Sequence, residues 1–318
     1  NCIEFHPTNP DIFWVGSPGG GLWKTTDGGS TWTTNTDNLP VLGVSDIIID
    51  PTNTDIMYMA TGDADGGDTY SIGVLKSIDG GLTWDTTGLS YSVNQGIEIS
   101  KLEMNPNNTD SIFAATGDNI FVTADGGISW IPVGPNGRWR DIHYKPENTN
   151  VLYATKQTSG TSNVYRSVDG GMSWQVCDNG VAGGGKRRPL IAVTPANTEV
   201  VYSLFSDAVW GFHGLYKSSD CGDNWVLQSD TPNILGRDTD GTSIGGQSWY
   251  DMTLSVSTTD ENHIYVGGIC LWESIDGGIT WNIEGSSGNG SNYSYMHVDH
   301  HAAEFNPINN IAYVGNDG

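Results

Sequence analysis

Six copies of one eight-residue pattern, Ser/Thr-x-Asp-x-Gly-x-x-Trp, recur along this chain and limit what it can fold into more than any other feature. They run Thr25–Trp32, Ser77–Trp84, Thr123–Trp130, Ser167–Trp174, Ser218–Trp225 and Ser274–Trp281. The aspartates stand at Asp27, Asp79, Asp125, Asp169, Asp220 and Asp276, so successive copies are 52, 46, 44, 51 and 56 residues apart. A period of that length means one supersecondary unit repeated, with each copy stacked on the next to bury its face.

Each copy closes a longer unit. A short β-rich run is followed by a Pro-x-Asn turn, at Pro7/Asn9, Pro51/Asn53, Pro106/Asn108, Pro146/Asn148, Pro195/Asn197 and Pro307/Asn309. A second run follows, such as Ile56–Thr61. A third, such as Gly73–Ser77, leads into the aspartate pattern, and a fourth starts at its tryptophan. Four short strands separated by Gly, Asn, Asp and Pro turns describe a propeller blade. No stretch carries a sustained 3.6-residue apolar period, and 43 glycines argue against helix. The expected fold is an all-β, seven-bladed β-propeller with four-stranded blades, forming one domain over residues 1–318. His301–Gly315 opens the seventh blade and leaves it incomplete, as in a fragment of a longer chain.

The pattern has a mechanical meaning. Asp followed by Gly-Gly is a tight hairpin turn, and the Ser/Thr hydroxyl caps it. The tryptophan returns on the next strand and packs between sheets. The six aspartates are therefore scaffold, since six identical catalytic sites in one chain make no chemical sense. The pattern is that of the Asp-box, or BNR repeat, and on it the chain resembles sialidases, sortilin-type receptor domains, xyloglucanase-like glycosidases and secreted bacterial propellers. The likeness covers the whole chain and implies a fold, not a function.

Charge narrows the partners. The chain carries 37 acidic against 13 basic residues, a net −24, which repels nucleic acid and anionic membranes. There is no transmembrane run. The one basic knot, Lys186-Arg187-Arg188, reads as a solvated or locally paired loop in preference to an anion site. The four cysteines leave pairing open, with Cys177–Cys221 one candidate bridge. Gly241-Thr-Ser243-Ile-Gly245 matches a nucleophile elbow by letters alone, without the strand-to-helix context that chemistry needs.

Chemistry is sought where the repeat breaks. Asp63, Asp65 and Asp68, on a Gly-bent insertion, offer three carboxylates to calcium, the one candidate cofactor. In Gly245-Gly-Gln247-Ser-Trp249-Tyr250-Asp251, two extra aromatics beside Gln and Asp suit a sugar platform. In Tyr295–His301, the residues His297, Asp299 and His301 would share one face of a strand, as a paired network, a metal site or an acid/base group. The arginines, at 138, 140, 166, 187, 188 and 237, lack the sialidase Arg-Ile-Pro opening.

The leading expectation is a non-catalytic recognition propeller, secreted or on the cell surface, that binds a polysaccharide or an extracellular protein through Trp249, Tyr250, Asp251, His297, Asp299 and His301. It would carry further domains and make no membrane insertion. The second is a glycoside hydrolase of the xyloglucanase-like type, to which Gly20-Gly-Leu-Trp23-Lys-Thr-Thr-Asp27-Gly-Gly is similar. That resemblance implies two propellers with one catalytic aspartate from each. The third is a structural or adhesin spacer.

Overall fold

The computed structural model describes residues 1–64, 67, 69–288 and 293–318. It is an all-β propeller fold. Blade 1 comprises Cys2–Phe5, Phe13–Ser17, Gly21–Thr25 and Thr33–Thr34, and blade 2 comprises Val44–Ile49, Met57–Thr61, Gly73–Ser77 and Asp85–Ser90. Blade 3 comprises Ile99–Met104, Ile112–Thr116, Ile120–Thr123 and Ile131–Pro132, and blade 4 Arg138–Lys145, Asn148–Gln157, Asn163–Ser167 and Gln175–Val176. Blade 5 comprises Pro189–Val193, Val201–Ser206, Phe212–Ser218 and Val226–Ser229. Blade 6 comprises Thr253–Val256, Ile264–Gly267, Leu271–Ser274 and Asn282–Ser286, with Ser294–Tyr295 added in parallel as a fifth strand.

The seven-bladed expectation is corrected to six. Among the described residues His300–Phe305 and Ala312–Asn316 pair only with each other, as a two-stranded sheet. Their Pro307/Asn309 turn imitates a blade opening. The described residues place two strands there, not the four of a blade. The chain forms two compact units, Asn1–Tyr144 with Asn306–Asn309, and Lys145–Phe305 with Asn310–Gly318.

The repeated hairpins share one hydrogen-bond plan. In the first, Thr25 Oγ1 donates to Asp27 Oδ1 at 2.9 Å, and Gly29 N donates back to that hydroxyl at 2.9 Å. Thr31 closes the loop on Asp27, its N–H to Oδ1 at 2.8 Å and its hydroxyl to Oδ2 at 2.7 Å. Gly28 and Gly29 sit at φ 69° and 90°, which glycine adopts without strain. Cys221 takes the first of these places in the fifth hairpin, at φ 59°. The same three-point clasp holds Asp79, Asp125, Asp169, Asp220 and Asp276.

Hydroxyl and amide donors from Thr83, Ser129 and Ser173 pull Asp79, Asp125 and Asp169 down to about 2 from the ordinary 3.8. A carboxyl lowered on folding stabilises the fold above its unfolded pKa and ceases to do so as pH falls through the folded value. Melting temperature is therefore expected to drop as pH falls from about 4 to about 2, less steeply in Asp125→Asn. A flat profile over that range would remove the hairpin carboxylates from the acid response.

The tryptophans are buried less evenly than their common place in the motif implies. Trp174 and Trp225 are buried, whereas Trp32 stays 37% exposed and meets the edge of Phe13 at a centroid distance of 5.3 Å. Cores form between adjacent sheets. Ile47, Met57, Met59 and Leu75 belong to one in the first unit, and Leu204, Leu215, Leu254, Val266 and Trp272 to one in the second. No helix among the described residues is long and apolar enough to cross a membrane.

Candidate functional site

The 246–252 loop, which leads into blade 6, is wound around a buried arginine. Arg188, just before the first strand of blade 5, is 5% exposed. Its guanidinium donates to the carbonyls of Ser248 at 3.2 Å, Tyr250 at 3.1 Å and Met252 at 3.5 Å. Ser248 Oγ donates to the Trp210 carbonyl at 2.7 Å, pinning the same loop to the turn of blade 5. Gly246 is required where it stands, because a Cβ there would come 2.2 Å from the Leu235 carbonyl oxygen.

This loop carries Asp251 inward, to 0% exposure. Asp251 Oδ2 accepts a hydrogen bond from Gln247 Nε2 at 3.1 Å, and the same amide nitrogen donates to Asp299 Oδ1. One amide thus joins two aspartates from distant parts of the chain. Burial raises the Asp251 carboxyl to about 8, and the neighbouring Asp299 charge adds to the rise, against the pull of Gln247 and Arg188. Asp251 Oδ1 is buried without a hydrogen-bond partner, which a carboxyl retaining its proton tolerates far better than a carboxylate. Asp299 is half-buried and lies at φ 65°, a region that non-glycine residues rarely occupy outside functional sites and turns.

Around this pair stand the aromatics. Trp249 is 47% exposed, with its ring centroid 5.5 Å from that of Tyr250. Tyr250 Oη donates to Asp317 Oδ2 at 2.7 Å, and His301 Nε2 lies 3.2 Å from Asp317 Oδ1. The His301 ring meets Tyr250 edge-on at 4.6 Å. Five of the six residues expected to bind ligand therefore gather here: Trp249, Tyr250, Asp251, Asp299 and His301.

His297 does not join them. The expected common strand face is absent, because the strand begins only at His300 and the left-handed Asp299 breaks the alternation before it. His297 is exposed, its Nδ1 3.1 Å from the Val298 carbonyl. The inward histidine is His300, fully buried and 2.8 Å from the Gly268 carbonyl, its pKa lowered by burial. Sequence reasoning missed Arg188 and Asp317. Arg188 belonged to a basic run that resembled solvated loop, and Asp317 had no motif around it.

The suggested calcium loop is only partly described. Asp63 is buried and accepts from Asn1 Nδ2 at 3.2 Å, while Asp65 and Asp68 lie outside the described residues. Among the described residues no three His, Cys, Asp or Glu side chains are grouped to hold a metal ion. The four cysteines are free, so Cys177 and Cys221 form no bridge. Cys221 Sγ donates instead to Glu199 Oε2 at 2.8 Å.

A separate polar network lies on the first strands of blades 2 to 4, within the first unit. Lys101 Nζ is 3.5 Å from Asp46, and His143 is 2.9 Å from Asp141 and 4.0 Å from Glu103. Burial alone would lower the His143 pKa, but the two carboxylates carry it up to about 9. Such a histidine stabilises fully below its unfolded value and loses that contribution as pH rises through 9. Melting curves from pH 6 to 10 should show a decline that His143→Gln abolishes; an identical decline in the variant would place its cause elsewhere.

No family model matches the chain. It is 22% identical over 336 residues to a xyloglucanase of Paenibacillus sp., covering 88% of this chain and 30% of that protein. It is also 22% identical over 321 residues to a xyloglucanase of Acetivibrio thermocellus, covering 88% of this chain and 37% of the relative. Among solved structures, a GH74 enzyme of Niastella koreensis superposes with a TM-score of 0.70 at 19% identity, over 97% of this chain and 49% of that one. The chain thus spans about a third of the length of the curated relatives it matches. It shares the propeller fold of xyloglucanase-like proteins. The expectation of a non-catalytic recognition propeller is corrected by these matches, because the curated relatives are glycoside hydrolases and the second expectation fits them better.

Proposed function

We propose that this chain is the carbohydrate-binding, carboxylate-bearing part of a glycoside hydrolase that acts outside the cell on a β-glucan of the xyloglucan type. The observation that carries the reading is the Asp251–Gln247–Asp299 bridge, which holds the half-exposed Asp299 carboxyl on the face that bears Trp249. Glycoside hydrolysis needs one carboxyl that gives a proton to the leaving oxygen and one that activates water or attacks the sugar. The xyloglucanase names of the relatives support the substrate class. The large share of those relatives that this chain leaves unmatched supports a second carboxyl supplied by a further domain.

In this reading Asp299 meets the substrate. Its carboxylate takes a proton from water as the water oxygen bonds to the anomeric carbon and the glycosidic C–O bond breaks, while the second carboxyl gives its proton to the leaving oxygen. Asp251, fully buried, touches no sugar. It is a positioning residue that, through Gln247, fixes the angle of Asp299. Trp249 offers an apolar face to a pyranose ring, and Tyr250, hydrogen-bonded to Asp317, forms a wall with the His301 ring beside it.

The test is release of reducing ends from xyloglucan by the full-length protein. Trp249→Ala is expected to raise KM about fivefold with kcat nearly unchanged, as loss of one aromatic contact worth about 1 kcal/mol demands. Unaltered KM would take the sugar platform away from Trp249. Absence of hydrolysis on every β-glucan offered would overturn the enzymatic reading.

A further inference from the structure

Arg187 stands apart from the other buried or half-buried arginines. Among the described residues Arg138 pairs with Glu98, Arg140 donates to the Ala64 carbonyl, Arg166 binds Asp223, and Arg188 holds three carbonyls. Arg237 is exposed. Arg187 is half-buried, its Nε buried with no hydrogen-bond partner, and no carboxylate of the described chain pairs with it. In a chain with 37 acidic and 13 basic residues, a guanidinium left uncompensated at short range is unexpected.

Among the described residues its close side-chain partner is aromatic. The Arg187 guanidinium lies 4.5 Å over the Trp210 ring. Stacking of this kind orients the planar fork while leaving its N–H donors in plane for an acceptor. Trp210 is held at φ 66°, a strained conformation for a bulky side chain. It is fixed there by its N–H to the Asp207 carbonyl at 3.2 Å and by Ser248, whose N–H and hydroxyl both donate to the Trp210 carbonyl. The Arg187–Trp210 shelf is thus tied through Ser248 to the loop that bears Trp249. The same loops expose Ile244 at 96% and Val209 at 53%.

We propose that Arg187, stacked on Trp210, is the recognition site for the carboxylate of a uronic-acid branch on the glycan whose neutral rings lie along Trp249. A guanidinium matches a carboxylate with two parallel N–H···O bonds. The net charge of −24 disfavours a polyanion, but a single uronate per repeat meets Arg187 at contact distance, where the local charge governs. This inference rests on the glycan reading of the same face and adds the chemical class of the branch.

Titration calorimetry of the full-length protein tests it. One probe is a branched β-glucan oligosaccharide carrying glucuronate; the other is the same oligosaccharide with its carboxyl reduced to an alcohol. The native protein is expected to bind the carboxylate form about tenfold more tightly, with the gap narrowing as salt rises. Arg187→Gln should bring both probes to the weaker affinity, with its fold checked by thermal melting. Equal affinity of the native protein for both probes would overturn the uronate site and leave the glycan reading standing. Binding of neither would overturn both. Because the probe comparison is made on the native protein, it decides the matter even if the variant misfolds.

Discussion

Asp299→Asn is expected to lower kcat on xyloglucan by about 10²- to 10⁴-fold, the usual contribution of a positioned acid–base group, with melting temperature preserved. Asparagine is well suited to isolate the charge. It is nearly isosteric with aspartate and is among the few residues that accept the left-handed backbone at φ 65°, so the strand entry at His300 should survive. The Gln247 amide can still donate to the remaining carbonyl oxygen. The pH profile gives a second readout. Asp251, raised to about 8 by burial and by Asp299, loses its proton as pH rises through that value and then places a second negative charge beside Asp299. Activity should fall on that limb, and Asp251→Asn, permanently neutral, should abolish the limb while retaining much of the rate. Full activity in Asp299→Asn would dismiss Asp299 as the reacting carboxylate.

Arg188→Ala is expected to cost about 3–5 kcal/mol, because it deletes a buried cation and leaves three carbonyls without their donor. For a protein of this size that corresponds to a drop in melting temperature on the order of 10 °C. Hydrolysis should also be lost at temperatures where the variant remains folded, since Ser248, Tyr250 and Met252 would no longer hold Trp249 and Asp251 in place. Arg188→Lys keeps a charge but not the fork, and should recover stability only in part. A variant that melts with the native protein and hydrolyses at the native rate would show that the loop is held by other means, such as Ser248 on Trp210.

The scaffold was readable because each hairpin satisfies itself. Thr25, Asp27, Gly29 and Thr31 meet within seven residues, so their spacing alone states the contact. Blade number was less readable. The Pro307/Asn309 turn promised a further blade, but strand pairing is a property of neighbours, and only two strands met there. Within the site, Trp249, Tyr250 and Asp251 drew notice because they interrupt the repeat. His297 was misplaced because the backbone reversal at Asp299 cannot be seen in a pattern that assumes an unbroken strand. The basic run divides two ways, with Lys186 and Arg188 buried and Arg187 stacked on Trp210. Nothing in three adjacent cations foretells that.

By itself the chain's order of residues determined an all-β repeat and the six self-closing hairpins clasped on their aspartates, since each depends on groups only a few positions apart. Tertiary structure alone decided that Gln247 would join Asp251 to Asp299, 48 residues farther along. It also decided that Arg188 would hold the loop bearing Asp251 and that burial would raise the Asp251 carboxyl. Those outcomes depend on burial and on distances between segments remote in sequence, which are set only when the sheets pack.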